Sequence, residues 1–480
     1  MKLYNTLTRR KDEFVSLVPG KVDIYTCGPT VYMFAHIGNF RAYIFSDTLR
    51  RVMEYLGYEV RHVMNVTDVG HLTSDEDTGE DKLDKEARLE GKKPEEIARF
   101  YEQAFFNDAA RLNIERPYIV CRATEHIPDM IELVRRIEAN GFTYRTSVGL
   151  IFDTGKYPEY ALLSRLNLAE QQAGARTQVD PERRNPSDFA LWITNQPKHL
   201  MQWDSPWGRG FPGWHLECSA MSIKYLGERF DIHTGGIDHI PVHHTNERAQ
   251  NFAATGKEVV VRWMHNAFLV IGDTRMGKSE GNLVTISELE KLGVAPMDFR
   301  YLCHTALYRM PLNYTAESLK SAHNSLSGLV DFGRNAQTWP AKDAAWPESY
   351  RQEFRDAIAD DLNVPQALAV VWSVVKEGNK REDRAAWDAL LDFDRVLGLG
   401  LAAPKTHVIT VVAASSVGDV RIGSAPVGTP QEVLDLANRR QEARTTRNWS
   451  EADRLRAEIA ERGYMIEDVG TGYRLKKSRS

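Results

Sequence analysis

Four residues far apart in the chain, Cys27, Cys218, His243 and Glu247, carry side chains able to hold a soft cation. If a helix starts at Pro241, His243 and Glu247 lie four positions apart on one face, so both reach one ion while the thiolates arrive from elsewhere. Two sulfurs, an imidazole and a carboxylate suit zinc better than magnesium or calcium. Isolated cysteines and histidines are also ordinary core and surface residues, and the quartet read alone leaves that alternative open. Cys121 and Cys303 lack such neighbours and are read as structural.

Nucleotide chemistry is suggested at three further places. In Cys27-Gly28-Pro29-Thr30-Val31-Tyr32, followed by His36-Ile37-Gly38-Asn39, two hydrogen-bonding side chains stand at the start of a helix. Backbone N–H groups and the helix dipole favour an anion there. A helix cap with a solvated histidine is the plain alternative. Asp231-Ile232-His233-Thr234-Gly235-Gly236-Ile237-Asp238 reads as a strand end whose glycines admit a ring and whose carboxylate accepts from hydroxyls, or as a simple turn. Residues 272–279 satisfy the formula G-x-x-x-x-G-K-S, but Glu280-Gly281-Asn282 argues against the helix that a P-loop lysine opens. A Gly-rich loop with Lys278 as a phosphate-reaching cation needs no helix.

These residues need elements to position them. Residues 22–25 and 58–65 read as strands. Between them Phe40, Tyr43, Ile44, Thr48, Val52 and Tyr55 recur at helical spacing before Gly57. Such a unit places Cys27 and Thr67-Asp68 beyond the carboxyl ends of parallel strands, where ligands collect. Residues 75–93 are charge-rich and read as a solvated hairpin or lid. Helical patterns cover 94–112, 128–137, 318–332 and 351–376, and the sheet pattern resumes at 229–233 and 259–265. Residues 400–430 read as a linker. A basic helical pair closes the chain, with Ser450 as the expected N-cap of 451–462. The expected fold class is α/β, with a nucleotide-binding sheet split in sequence by an insertion and followed by helical segments.

The chain has 480 residues, 42% hydrophobic and 26% charged, with a net charge of −5, which excludes disorder and any global field drawing in nucleic acid. Charge is segregated, since residues 439–480 hold 11 basic against 7 acidic side chains, +4 locally and −9 elsewhere. Four cysteines are too few for a disulfide scaffold. The polar start and the short apolar runs point to a cytoplasmic protein with no membrane association.

Taken together the motifs resemble the class I cysteinyl-tRNA synthetases nearly end to end. The likeness is carried by Tyr25 to Tyr32, His36 to Asn39, Asn65-Val66-Thr67-Asp68, Arg184 to Trp192 and Phe211 to Met221. It continues in His233 to Asp238, His243 to Glu247, Trp449 to Asp453 and the segment from Ile466. The resemblance implies that ATP, with magnesium, and L-cysteine give cysteinyl-adenylate, whose acyl group passes to the 3′ end of cysteine tRNA. It implies His36, Asn39 and Lys278 as catalytic residues that hold the ATP phosphates, with Asp238 near the nucleoside. Thr67, Trp214 and His233 are implied to line the cysteine pocket, and Cys27, Cys218, His243 and Glu247 to bind one zinc that takes the substrate thiolate. The resemblance also implies a split Rossmann-type catalytic domain (1–120 and 213–310) with an inserted connective domain (121–212), then a helical bundle (311–399), the linker and a C-terminal anticodon-binding module (431–480), and a monomer is expected. Departures are Asn39 where relatives carry His, and Arg275 and Gly277 where they carry Lys and Ser, which bears on rate rather than identity. Alternatives are a cysteine-activating ligase with an aminosugar acceptor, and a tRNA-binding paralogue without catalysis.

Overall fold

The computed structural model describes residues 1–69, 82–165, 181–197, 199–271, 274–275, 283–340, 342, 346–402, 431–445, 448–469 and 472–477. The linker reading beyond residue 402 and the loop holding Lys278 lie outside them.

A hairpin of β1 (Lys2–Asn5) and β2 (Arg10–Glu13) opens the chain. The centre is a parallel sheet of β3 (Lys21–Thr26), β4 (Glu59–Val66), β5 (Ile119–Arg122), β10 (Phe230–Gly236) and β11 (Val260–Asn266), in the order β11-β10-β3-β4-β5. From β3 the chain builds outward through β4 to β5. It returns beside β3 as β10 and builds the other way to β11. The order therefore reverses between β3 and β10, and a crevice opens beyond their carboxyl ends. The expected domain edge at residue 120 falls inside β5. Between β5 and β10 an antiparallel sheet of β6 (Thr143–Arg145), β7 (Gly149–Phe152), β8 (Phe189–Thr194) and β9 (Gly210–Pro212) is inserted.

Helices cover both faces, as buried parallel strands require. On one face lies α1 (Ile37–Tyr55), whose apolar stripe of Phe40, Ile44, Leu49 and Val52 is buried against the strands. On the other lie α4 (Ile127–Ala139), α5 (Trp214–Leu226) and α6 (His243–Thr255). Residues 82–90 form α2 (Lys82–Glu90), which packs with α3 (Pro94–Arg111). Part of the charge-rich segment is thus a helix rather than a solvated hairpin, because Leu83 and Ala87 share one face and are buried with Val31 and Ile97.

After β11 the short strands β12 (Leu269–Ile271) and β13 (Thr274–Arg275) lead toward the Lys278 loop, and β12 also pairs with β14 (Leu312–Asn313). Helices α7 (Ile286–Lys291) and α8 (Pro296–His304) precede the bundle of α9 (Ala316–Ala336), α10 (Ser349–Ala359), α11 (Val364–Arg381) and α12 (Ala385–Leu397). The single helical pattern read over 351–376 is two helices. Asp361 and Leu362 take the left-handed conformation, with φ of 60° and 54°, and Pro365 occupies the first turn of α11.

The bundle is joined to the central sheet through one continuous core. At the join, Arg300 is fully buried and donates to the Asp47 carboxylate at 2.6 Å and to the carbonyls of Leu112, Asn113 and Leu397. The C-terminal module, α13 (Gln431–Thr445), α14 (Trp449–Glu461), β15 (Tyr464–Val469) and β16 (Gly472–Lys477), has its own core of Val433, Leu436, Leu455, Ile459 and Tyr464. Asn448 rather than Ser450 caps α14, its Oδ1 accepting from the Glu451 N–H at 3.3 Å. Among the described residues no helix is long and apolar enough to cross a membrane.

Candidate active site

The reversal crevice collects the metal-binding candidates. Cys27 follows β3, Cys218 stands in the second turn of α5, and α6 starts at His243, one turn before Glu247. All four are buried, and their ligand atoms lie within 4.8 Å of one another. The Cys27 and Cys218 Sγ atoms are 3.8 Å apart. Two thiolates on tetrahedral zinc, at about 2.3 Å from it, stand about 3.8 Å from each other. His243 Nε2 is 3.0 Å from Glu247 Oε1.

Electrostatics favour a cation here. Burial pushes the Cys27 thiol up to about 11 and the Cys218 thiol well above its usual range, so thiolates form in this pocket only beside positive charge. Burial would also raise the Glu247 carboxyl, but His233 and His243 outweigh it and bring it down to about 2. Two neighbouring histidines orient the donors: His243 Nδ1 is 2.9 Å from His215 Nδ1, and Glu247 Oε2 is 2.9 Å from His233 Nε2.

His244 was not among the sequence candidates. Its Nε2 is 3.1 Å from Cys27 Sγ, and Cys27, His233, His244 and Glu247 form a second donor group overlapping the first. From His244 the hydrogen-bonded row of side chains continues through His265 to the Thr6 hydroxyl, at 2.7 Å and 2.8 Å. Burial and neighbouring histidines hold His244 well below its ordinary pKa, so it is neutral. The one available signal was its spacing of three from Glu247, which also fits one helix face.

At the mouth of the crevice His36 caps α1. Its Nδ1 accepts from the Asn39 N–H at 3.3 Å, and Asn39 Oδ1 accepts from the His36 N–H at 3.1 Å. Burial takes His36 down to about 4, with Asp238 opposing. The ring is therefore neutral, and with Nδ1 accepting, its proton sits on Nε2 as an outward donor. Asp238 is exposed beside Gly236, past the end of β10. Thr67 is buried just beyond β4. Trp214 is half-buried at the start of α5, its ring 4.4 Å from that of His243. His233 is fully buried and faces Glu247 rather than open space.

Lys278 lies outside the described residues, but both ends of its loop are tied to α1. Arg41 donates to the carbonyls of Phe268 and Met310 on one side. On the other, the Ile37 N–H donates to Val284 O at 2.8 Å, and His36 bridges Thr285.

Three regions of the chain match known family models. Residues 13–324 match the family model of tRNA synthetases class I (C) catalytic domain, residues 353–402 a DALR domain, and residues 427–474 a cysteinyl-tRNA ligase anticodon binding domain. The chain is 44% identical to the cysteine–tRNA ligase of Treponema denticola over 98% of both chains. It is 44% identical to cysteine–tRNA ligase 1 of Burkholderia lata over 99% of this chain and 96% of that one. The methionyl-tRNA synthetase of Mycobacterium tuberculosis, solved with methionyl-adenylate, shares the fold at a TM-score of 0.56 and 18% identity, over 79% of this chain and 88% of that one. With its catalytic, DALR and anticodon-binding regions all matched in order, the chain belongs to the cysteinyl-tRNA ligase family of class I aminoacyl-tRNA synthetases.

Proposed function

We propose that this chain activates L-cysteine with ATP, releasing pyrophosphate, and passes the cysteinyl group to the 3′ end of cysteine tRNA. The observation that carries the reading is the buried Cys27–Cys218–His243–Glu247 cluster in the same crevice as the α1 N-terminus. The donor types and the sulfur spacing fit zinc. Zinc bound there would supply a Lewis acid that favours a thiolate over a neutral hydroxyl, the one difference between cysteine and serine that shape reads poorly.

The chain's own residues do the rest by position. The Nε2–H of His36 and the backbone N–H groups at the start of α1 donate to ATP phosphates. Asn39 already spends its Oδ1 on the cap, so its Nδ2 is the group left to donate outward. Lys278 approaches the same phosphates from a loop whose exit is pinned to His36, and neutralises the charge that grows as the cysteine carboxylate attacks the α-phosphate. Asp238 accepts from ribose hydroxyls, and Trp214 and Thr67 bound the amino-acid pocket. The separately cored C-terminal module is the part that meets the anticodon arm. A small aminosugar acceptor would give such a module nothing to bind.

Transfer of labelled cysteine to cysteine tRNA, with serine as control, tests the proposal. Charging with cysteine alone is expected. Adenylate formation with no transfer to tRNA would overturn the acceptor assignment.

A further inference from the structure

Beside the mouth of the crevice meet three aromatic rings that the reaction outlined above does not use. Phe34 stands two residues before the α1 cap, and Phe100 and Tyr101 lie on α3. Phe34 is 45% and Phe100 52% exposed, whereas Tyr101 is buried with Val31, Leu83 and Ile97. The ring centroids are 5.1 to 5.9 Å apart and every pair is edge-on, at interplanar angles from 73° to 86°. None of the three stacks in parallel on another, so the exposed parts of Phe34 and Phe100 are open to a flat partner.

Packing does not account for the exposure. Helix α3 buries Ile97, Ala98, Tyr101 and Phe105, and Phe100 falls off that face, where a polar residue would serve the helix as well. The cluster is also held in place. On one side the Val31 N–H donates to Thr67 O at 3.2 Å, and on the other His36 caps α1. Phe34 is thus fixed within about 7 Å of chain from the residue assigned to the ATP phosphates. Large apolar groups left together on a surface mark contact with a partner.

The chemistry of that partner follows from the rings and their neighbour. Lys92 Nζ lies 5.8 Å from the centroid of the Phe100 ring, so positive charge accompanies the aromatic surface. An unpaired nucleotide matches both, with its base on a ring and its phosphate at the ammonium. A duplex keeps its bases stacked on one another and offers the rings nothing. The 3′ tail of a tRNA is unpaired, and it has to approach the crevice mouth to bring its terminal ribose to the adenylate.

We propose that Phe34 and Phe100 form a stacking platform for bases in the unpaired 3′ tail of tRNA, with Lys92 beside the tail's phosphates. The proposal rests on the tRNA-charging function above, and it assigns the two rings to the transfer step rather than to cysteine activation.

The test combines Phe34→Leu and Phe100→Leu, which keep apolar bulk but lose the ring, with tRNA carrying an abasic nucleotide at each tail position in turn. Transfer is followed in a single turnover from preformed cysteinyl-adenylate, with tRNA below saturation. Each variant is expected to slow transfer about tenfold, the usual size of one base–aromatic stack, while cysteine-dependent pyrophosphate exchange stays within about twofold. At one tail position the abasic tRNA slows the wild-type protein by a similar factor and slows Phe100→Leu or Phe34→Leu little further, because that stack is already lost. Phe100→Tyr keeps wild-type transfer. Normal transfer by both leucine variants, or abasic and leucine losses that multiply at every position, overturns the platform and leaves the function standing. Exchange that falls along with transfer overturns it too, since the rings would then serve ATP or the α1 cap, as does a wild-type dimer that the leucine variants dissolve. A wild-type protein that charges no tRNA would instead refute the function itself.

Discussion

At the residue scale the account turns on a few atoms that must be where they are. Cys218→Ser replaces one of two sulfurs 3.8 Å apart with a neutral hydroxyl. We expect the purified variant to lose bound metal and, with it, cysteine affinity, while the fold persists by circular dichroism. Metal content measured beside cysteine-dependent pyrophosphate exchange checks this, and a metal-replete, fully active variant would contradict it. Gly28 is equally constrained, since a Cβ there would stand 1.6 Å from the Asn65 carbonyl oxygen. Gly28→Ala should cost about 1–3 kcal/mol or more of stability, read as a lowered denaturation midpoint. These two positions also show what sequence reading reaches. The metal quartet was legible because its residue types are rare together and two of them share a helix face. His244, His215 and His265 were not, because they meet only when β11, α5 and α6 converge, and nothing local records that. Glu217 escaped for the same reason, since its carboxylate accepts from the Thr67 hydroxyl 150 positions away.

At the scale of elements, strands and helices with a buried stripe were readable from periodicity, and their ends were less so. The break between α10 and α11 depends on two non-glycine residues with positive φ, held there by tertiary contacts. Tyr4 N–H, the Tyr308 hydroxyl and Arg309 all donate to the Asp361 carboxylate. A helical period cannot reveal such a site. The join between the sheet and the bundle also shows its physics here. His304 Nε2 donates to Leu397 O at 2.9 Å, and burial, aided by Arg300, drives His304 down to about 3. His62 falls to about 3 by burial and Arg50. Both stay neutral when folded and regain an ordinary value, about 6.5, on unfolding. The unfolded chain therefore takes up protons first. The stability these histidines support is intact above about pH 6.5 and falls away toward pH 3, by about 2 kcal/mol for each between pH 7 and pH 5. Urea unfolding at the two pH values should show the loss, and His304→Gln should lessen it. A pH-independent midpoint would contradict the burial argument. Arg300→Met strips Asp47 of its closest partner, an ion pair at 2.6 Å with both side chains buried. Burial alone would raise the Asp47 carboxyl, yet Arg300 and Arg51 hold it below its ordinary value. A loss of about 3–5 kcal/mol is expected on denaturant titration.

For the whole molecule, the division of labour follows the division of cores. The sheet and the bundle share one apolar core, whereas the C-terminal module has its own. Truncation after Leu401 should therefore leave a folded protein that forms cysteinyl-adenylate but charges tRNA poorly, with full charging as the contrary result. The arrangement of the sheet gives the active site its place: the reversal between β3 and β10 opens the crevice, and the metal donors and the α1 cap line it from opposite sides. The most direct measurement is cysteine-dependent ATP–pyrophosphate exchange by the zinc-loaded protein and by the same protein stripped with a chelator, each run also with serine. The account predicts exchange with cysteine only, lost on stripping and restored by zinc. A metal-free protein that still activates cysteine and refuses serine would contradict it.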